Sequence, residues 1–206
     1  MPDIKEIETG PVEASVLQPS DPDWKSEQLG KRYARWDDMI REWQALQECR
    51  GFRVQKTLEM DEKKQLIHFE FDAKARPLSS FGKDEQALFI ELLPEIIRAI
   101  NHCHQNGWVH GDIKPSNILF IPQNRTVRLV DFGASYRVGT SRSDLPTWQV
   151  TPMFASANQI DGCGVVDIKD DWFALVKLIE IFIRSCADEK CKEKAISVRS
   201  IVERWL

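Results

Sequence analysis

Three short apolar runs frame two polar loops near the middle of this chain, and that alternation constrains the architecture more than any other stretch. Trp108-Val109, Ile118-Leu119-Phe120 and Val127-Arg128-Leu129-Val130 have strand-like length and composition. Pro122-Gln123-Asn124-Arg125, between the last two, has turn chemistry. The first loop reads His110-Gly111-Asp112-Ile113-Lys114-Pro115-Ser116-Asn117, and the second opens with Asp131-Phe132-Gly133. Strands so placed should hold both loops against one core. The first loop thereby holds a carboxylate, an ammonium and an amide at Asp112, Lys114 and Asn117, and the second loop adds the carboxylate Asp131.

These residues and spacings resemble the catalytic loop and metal-binding loop of eukaryotic-type protein kinases of the Ser/Thr type. The resemblance implies an α+β, bilobal fold: a small β-rich N-lobe with one helix over residues 1–72, and a mostly helical C-lobe over 73–206. It implies ATP and Mg2+ as cofactors and a protein hydroxyl as acceptor. In the family, the carboxylate matching Asp112 accepts the proton of the attacking hydroxyl. The lysine matching Lys114 neutralises charge on the transferred phosphoryl group. The amide matching Asn117 and the carboxylate matching Asp131 hold magnesium. Such a reaction needs positioning and charge stabilisation more than covalent help, so a few rigid groups suffice. Asp112-Ile113-Lys114-Pro115 is similar to the Ser/Thr rather than the tyrosine type.

The bulk properties are compatible with that reading. Lys+Arg 28 against Asp+Glu 32 gives net charge -4, which argues against a nucleic-acid partner. Five cysteines, an odd number without CxxC pairing, argue against a disulfide framework or zinc site and suit a reducing, cytoplasmic setting. No membrane span is expected: Leu178 to Ile183 is too short and contains Glu180. The first residues are polar and acidic, without a cleavable apolar segment.

Along the chain, Ile4 to Ile7 and Val12 to Leu17 read as strands joined around Gly10-Pro11. The pattern becomes helical from Ser26 to Cys49, with Trp36, Ile40 and Trp43 on one face, Met39 and Leu46 beside them, and Gly51 closing the helix. Phe52 to Met60 and Gln65 to Phe71 read as a hairpin about Asp61-Glu62-Lys63-Lys64. Asp84 to Gln105 reads as a long helix with a stripe through Leu88, Leu92, Ile96, Ala99 and Ile100, bent or broken at Pro94. On the kinase resemblance, Glu42 falls where the family keeps the helix glutamate that pairs with a phosphate-gripping lysine. Glu70-Phe71-Asp72 falls at the hinge that meets adenine. Thr151 matches a threonine bonded to the catalytic aspartate and lysine. Asp171 matches the aspartate that ties down the catalytic loop, at the start of an apolar helix running through Leu175, Leu178, Ile179, Phe182 and Ile183.

Four departures stand against the family pattern. Gly10 is the only glycine before Gly30, so the G-x-G-x-x-G loop is lacking. Ser15 stands where the strand lysine is expected, leaving Lys5, Lys25 and Lys31 as candidate substitutes. The closing Ala-Pro-Glu is replaced by Ser156-Ala157-Asn158. The sequence ends soon after the Asp171 helix, with residues 186–206 reading as one more helix whose apolar side is Ile196, Val198, Ile201, Val202 and Trp205. A lobe so curtailed is expected to expose apolar surface and to engage an activating or completing protein partner. Gly111 replaces an arginine that many kinases pair with a phosphorylated activation segment, so weak dependence on phosphorylation of Thr140, Ser141, Ser143 or Thr147 is expected. Two other functions compete with the protein kinase: a pseudokinase that binds nucleotide or acts as a scaffold, and a small-molecule kinase. A lysine within salt-bridge reach of Glu42 would favour catalysis.

Overall fold

A computed structural model describes residues 14–23, 28–145 and 148–206. Strand β1 (Ala14–Val16) and strand β2 (Gln28–Tyr33) lead into helix α1 (Trp36–Glu48), followed by the hairpin of β3 (Thr57–Asp61) and β4 (Leu66–Glu70). These form an antiparallel sheet in the order β1-β2-β4-β3. The expected hairpin is present. Its turn is tightened by Asp61, whose carboxylate accepts from the Lys64 N–H at 3.1 Å. The expected strand Ile4 to Ile7 lies outside the described residues, as do Val12 and Glu13 of the second.

The helix expected from Ser26 is shorter than its periodicity suggested. Gln28–Tyr33 is strand, and helix begins only at Trp36. The segment Gln-Leu-Gly-Lys-Arg-Tyr has little propensity of its own, and pairing on both sides decides it: Val16 lies opposite Lys31, and Lys31 opposite Ile67. Gly30 permits the close approach of Leu17, since a Cβ there would fall 2.5 Å from Leu17 Cδ1. The buried face of α1 also differs from expectation. Asp38, Met39, Glu42, Ala45 and Leu46 are buried, whereas Trp36 is 48% exposed. Two carboxylates occupy the inward stripe because each meets a cation there, Asp38 with Arg41 and Glu42 with Lys31, which a search for apolar periodicity passes over.

The second part begins with β5 (Arg76–Pro77) and helix α2 (Gln86–Gln105), then β6 (Trp108–Val109), β7 (Ile118–Ile121), β8 (Thr126–Leu129) and β9 (Tyr136–Arg137). β7 and β8 make the expected hairpin, with β5 added beside β7, and β6 pairs with β9. Helix α2 runs through Pro94 without interruption. A proline inside a helix costs about 3 kcal/mol. Here Leu92, Leu93 and Ile96 on either side are essentially fully buried, and that packing holds the helix together.

Three helices complete the chain: α3 (Ala157–Ile160), α4 (Ile168–Ser185) and α5 (Glu189–Val202). Asp167 caps α4 by accepting from Lys169 N at 2.9 Å, and Asp170 reaches back to the Asp167 N–H at 3.0 Å. Trp172, Leu175, Leu178 and Ile179 of α4 lie in the core. Helix α5 packs on α4 through Ala195 and Val202, while Ile196, Ile201 and Trp205 of its expected apolar side remain exposed. One apolar core joins both parts of the chain. Their junction is laced by Gln55 N–H donating to Leu129 C=O at 2.9 Å and Leu129 N–H to Arg53 C=O at 2.8 Å.

Candidate active site

β2, α1 and the loop after β8 meet at three charges. Lys31 Nζ lies 2.8 Å from Glu42 Oε2 and 2.8 Å from Asp131 Oδ1. Of the three candidate lysines, Lys31 comes within salt-bridge reach of Glu42, while Lys5 and Lys25 lie outside the described residues. Ser15 sits one strand away, opposite Arg32, and carries no part of this site. Burial acts to lower the Lys31 pKa, but the charges of Glu42 and then Asp131 outweigh it and raise the pKa above 10.5. Burial likewise acts to raise the Asp131 pKa, and the charge and hydrogen bond of Lys31 bring it below 3.8 instead. Both groups are therefore charged throughout the neutral range.

Glu42 has a second task. Its Oε1 accepts the Phe132 N–H at 3.1 Å, so α1 grips the loop that carries Asp131. Arg41 adds a parallel tie, donating to Asp38 Oδ1 at 2.8 Å and Gly133 C=O at 2.7 Å while lying over the Tyr136 ring. Phe132 is fully buried with its ring 4.7 Å from that of His110. These contacts hold Asp131 in a left-handed conformation, φ 62°, that a carboxylate residue adopts only under constraint.

The loop between β6 and β7 is equally tied. Asp112 Oδ1 accepts from Thr151 Oγ1 at 2.7 Å, and Oδ2 accepts from Lys114 Nζ at 2.5 Å and Asn117 Nδ2 at 3.2 Å. Lys114 also donates to Thr151 Oγ1 at 3.1 Å. Asn117 Nδ2 closes the loop on the Asp112 carbonyl at 3.0 Å. The two loops are coupled, since Val130 N–H donates to Asn117 C=O at 3.1 Å and His110 Nε2 lies 3.1 Å from Val130 C=O. Asp112, Lys114, Asn117 and Thr151 are thus brought together, with Asp131 reached through this backbone link.

Asp171 anchors the loop from below. Its carboxylate accepts from His110 N at 2.8 Å and Gly111 N at 2.9 Å, and meets His104 Nε2 at 2.8 Å. Complete burial acts to raise its pKa, and these bonds, led by His104, lower it below 3.8. Gly111 has φ 80°, and a Cβ there would lie 2.4 Å from the Ala134 carbonyl oxygen. The glycine is required by that close approach, so an arginine could not simply be restored. Nearby, Arg142 is 4% exposed and donates to Cys163 C=O, Val165 C=O and the Asp170 carboxylate. The segment between the second loop and Thr151 therefore carries an internal cation fastened to α4.

A cleft of about 520 Å³ opens between the two parts. Lys31, Glu42 and Asp131 line one end; Glu70, Phe71, Asp72 and Leu119 line the other. Glu70 is held by Lys56 at 3.1 Å and Arg128 at 3.4 Å. The donors suit magnesium. Asp131 is about half exposed, and the Asn117 amide oxygen accepts from Ser116 Oγ at 3.3 Å. Among the described residues no group of three or more His, Cys, Asp or Glu is assembled for a metal. A hard cation held by one or two protein oxygens, with water and phosphate completing its shell, fits that donor set better than zinc does.

The description "protein kinase domain" matches residues 24–201 as a family. This chain belongs to the protein kinase family. The kinase is 28% identical over 120 residues to a cyclin-dependent kinase F-3 of Oryza sativa subsp. japonica, covering 55% of this chain and 27% of that protein. It is 35% identical over 88 residues to the serine/threonine-protein kinase PknB of Mycobacterium leprae, covering 42% and 14%. It is 24% identical over 111 residues to an interferon-induced, double-stranded RNA-activated protein kinase of Rattus norvegicus, covering 54% and 21%. The chain thus spans less than a third of the length of each. Sequence reasoning missed Arg41 and Arg142, since isolated charged residues carry no motif. Lys31 was one of three open candidates because its strand was read as helix.

Proposed function

We propose that this chain is an ATP- and magnesium-dependent protein kinase that transfers the γ-phosphoryl group to serine or threonine hydroxyls of a protein. The observation that carries the proposal is the Lys31–Glu42–Asp131 cluster beside the Asp112–Lys114–Thr151 cluster. Asp112 would accept the proton of the acceptor hydroxyl, freeing its oxygen to bond to the γ-phosphorus as the bond to the β-phosphate oxygen breaks. Lys114 would balance the charge that develops on the phosphoryl oxygens. Lys31, positioned by Glu42, would hold the α- and β-phosphates, and backbone at Glu70-Phe71-Asp72 would meet adenine. Asp131 and the Asn117 oxygen would hold magnesium, which when bound supplies charge neutralisation between the phosphates. The lobes would divide near Asp72.

With Lys31 placed, the scaffold-only reading loses the support it drew from Ser15. No helix among the described residues is long and apolar enough to cross a membrane. A cytoplasmic setting accords with the five free cysteines, and a protein substrate with the kinase relatives.

The test is Lys31→Met. Calorimetry with ATP and magnesium should show saturable binding by the native chain, and a radiolabel transfer assay should show at least ~100-fold loss in the variant. Equal transfer by both would refute the assigned grip. A second expectation concerns regulation. Because Arg142 is already paired with Asp170, the fourfold alanine variant at Thr140, Ser141, Ser143 and Thr147 should retain transfer to within about fivefold, ~1 kcal/mol in barrier. Arg142→Ala should lose far more, together with protection of the segment in hydrogen exchange. Collapse of activity in the fourfold variant would mean that a phosphate is needed after all.

A further inference from the structure

A second concavity, about 590 Å³, lies behind the active-site cleft, where the end of α1 and the linker into β3 meet Glu70 and Arg128. Gln55, Glu70 and Arg128 line both cavities, so the two share a wall. Phosphoryl transfer makes no use of the rear side. Leu46 and Val54, both buried, form its base, and Phe52, 56% exposed, stands at its mouth.

The lining is unbalanced in charge. Arg50, Lys56 and Arg128 are set against one carboxylate, Glu70. Lys56 and Arg128 divide that carboxylate, at 3.1 Å and 3.4 Å. The second distance is long for a charge-assisted bond. Arg128 Nε is buried with no hydrogen-bond partner among the described residues. Arg50 is exposed and makes no hydrogen bond or ion pair among the described residues. Neighbouring acids do not redress the balance: Glu48 holds Arg137 and Trp108 Nε1, and Glu95 holds Arg53 and Arg98. The concavity therefore has cationic capacity to spare for an anion.

The anion must bring an apolar group with it. Exposed ion pairs alone add little affinity. Phe52, with the Arg53 guanidinium 4.2 Å from its ring centre, offers aromatic surface beside the cations. Arginine and aromatic side chains around a concave, partly apolar centre are the composition of the residues that dominate protein–protein interfaces. A small free carboxylate would leave Phe52 in water, whereas a peptide segment covers it.

We propose that this rear cleft docks a segment of a protein partner in which an Asp or Glu carboxylate stands beside a large apolar side chain. The inference is independent of the phosphotransfer reading.

The test is selection from a displayed library of random dodecapeptides by the full native chain, with ATP and magnesium present so that the active-site cleft is not the one sampled. Recovered peptides should pair Asp or Glu with Leu, Ile, Phe or Trp. Binding is then measured by anisotropy with a rhodamine-labelled copy of the most enriched peptide. Arg50→Glu and Phe52→Ser should each weaken it by ~10-fold or more at unchanged melting temperature. Both side chains are exposed and stand outside the catalytic machinery, so neither variant should disturb the fold. Arg50→Glu should also turn the selection toward peptides bearing Lys or Arg. Recovery of no peptide, or of peptides without an acidic bias, would overturn the proposal. So would binding that survives Arg50→Glu. Displacement of the peptide by sodium phenylacetate at concentrations no higher than the peptide's own Kd would make the cleft a small-molecule site and overturn it as well.

Discussion

Asp112→Ala is expected to leave the fold standing and to lower phosphoryl transfer by about 10²- to 10⁴-fold, the range for loss of a general base. Asp112 is satisfied on one side by Thr151 and on the other by Lys114 and Asn117. Removing it frees Lys114, which is partly exposed and can be rehydrated. Asn117 keeps its bond to the residue 112 carbonyl, which no side-chain change removes. The melting temperature should therefore move little. Asp112→Asn tests the chemistry more narrowly: it preserves an acceptor for Thr151 while losing basicity. Single-turnover transfer with prebound ATP, compared with ATP affinity by calorimetry, separates chemistry from binding. Undiminished transfer in either variant would remove Asp112 from the base role.

The second large effect is structural. Asp171→Ala should cost about 3–5 kcal/mol, the scale for breaking a buried, charge-assisted network. It strips partners from the backbone N–H of His110 and Gly111 and from His104, all close to the core. Solvent replaces none of them readily. The acid limb follows from the same residue. Its pKa in the folded chain lies below the ordinary 3.8, so its contribution is fully present above pH 3.8 and is lost as pH falls through the lower folded value. Denaturant melts from pH 6 to 2.5 should show native stability falling more steeply below pH 3.8 than that of Asp171→Asn. Parallel curves for the two proteins would contradict this sign.

Much of the site was legible in the sequence because the motifs His110 to Asn117 and Asp131 to Gly133 resemble those of protein kinases, and the apolar runs beside them have strand character. His110 to Asn117 and Asp131 to Gly133 sit where the flanking apolar runs placed them. Thr151 and Asp171 likewise meet the partners expected of them. The first part of the chain was less readable. Leu29, Lys31 and Tyr33 share a face of β2 that lines a cleft, so strand alternation carried no apolar signal there. The inward face of α1 contains Asp38 and Glu42, which reversed the apparent orientation of Trp36. Pro94 was overweighted because its local cost was visible and the burial of Leu93 and Ile96 was not. Arg142 escaped notice because its partners, Cys163, Val165 and Asp170, are distant in sequence.

Lys31 divides one ammonium between two acids, and this has a thermodynamic corollary. Were Asp131 to hold a divalent ion, Lys31 would keep Glu42 as its partner and have a donor left for an anion. On the proposed function, metal and triphosphate would then strengthen each other's attachment by the same factor, as linkage demands. Neutralising Asp131 as Asn would uncouple them, making triphosphate affinity nearly indifferent to the divalent ion.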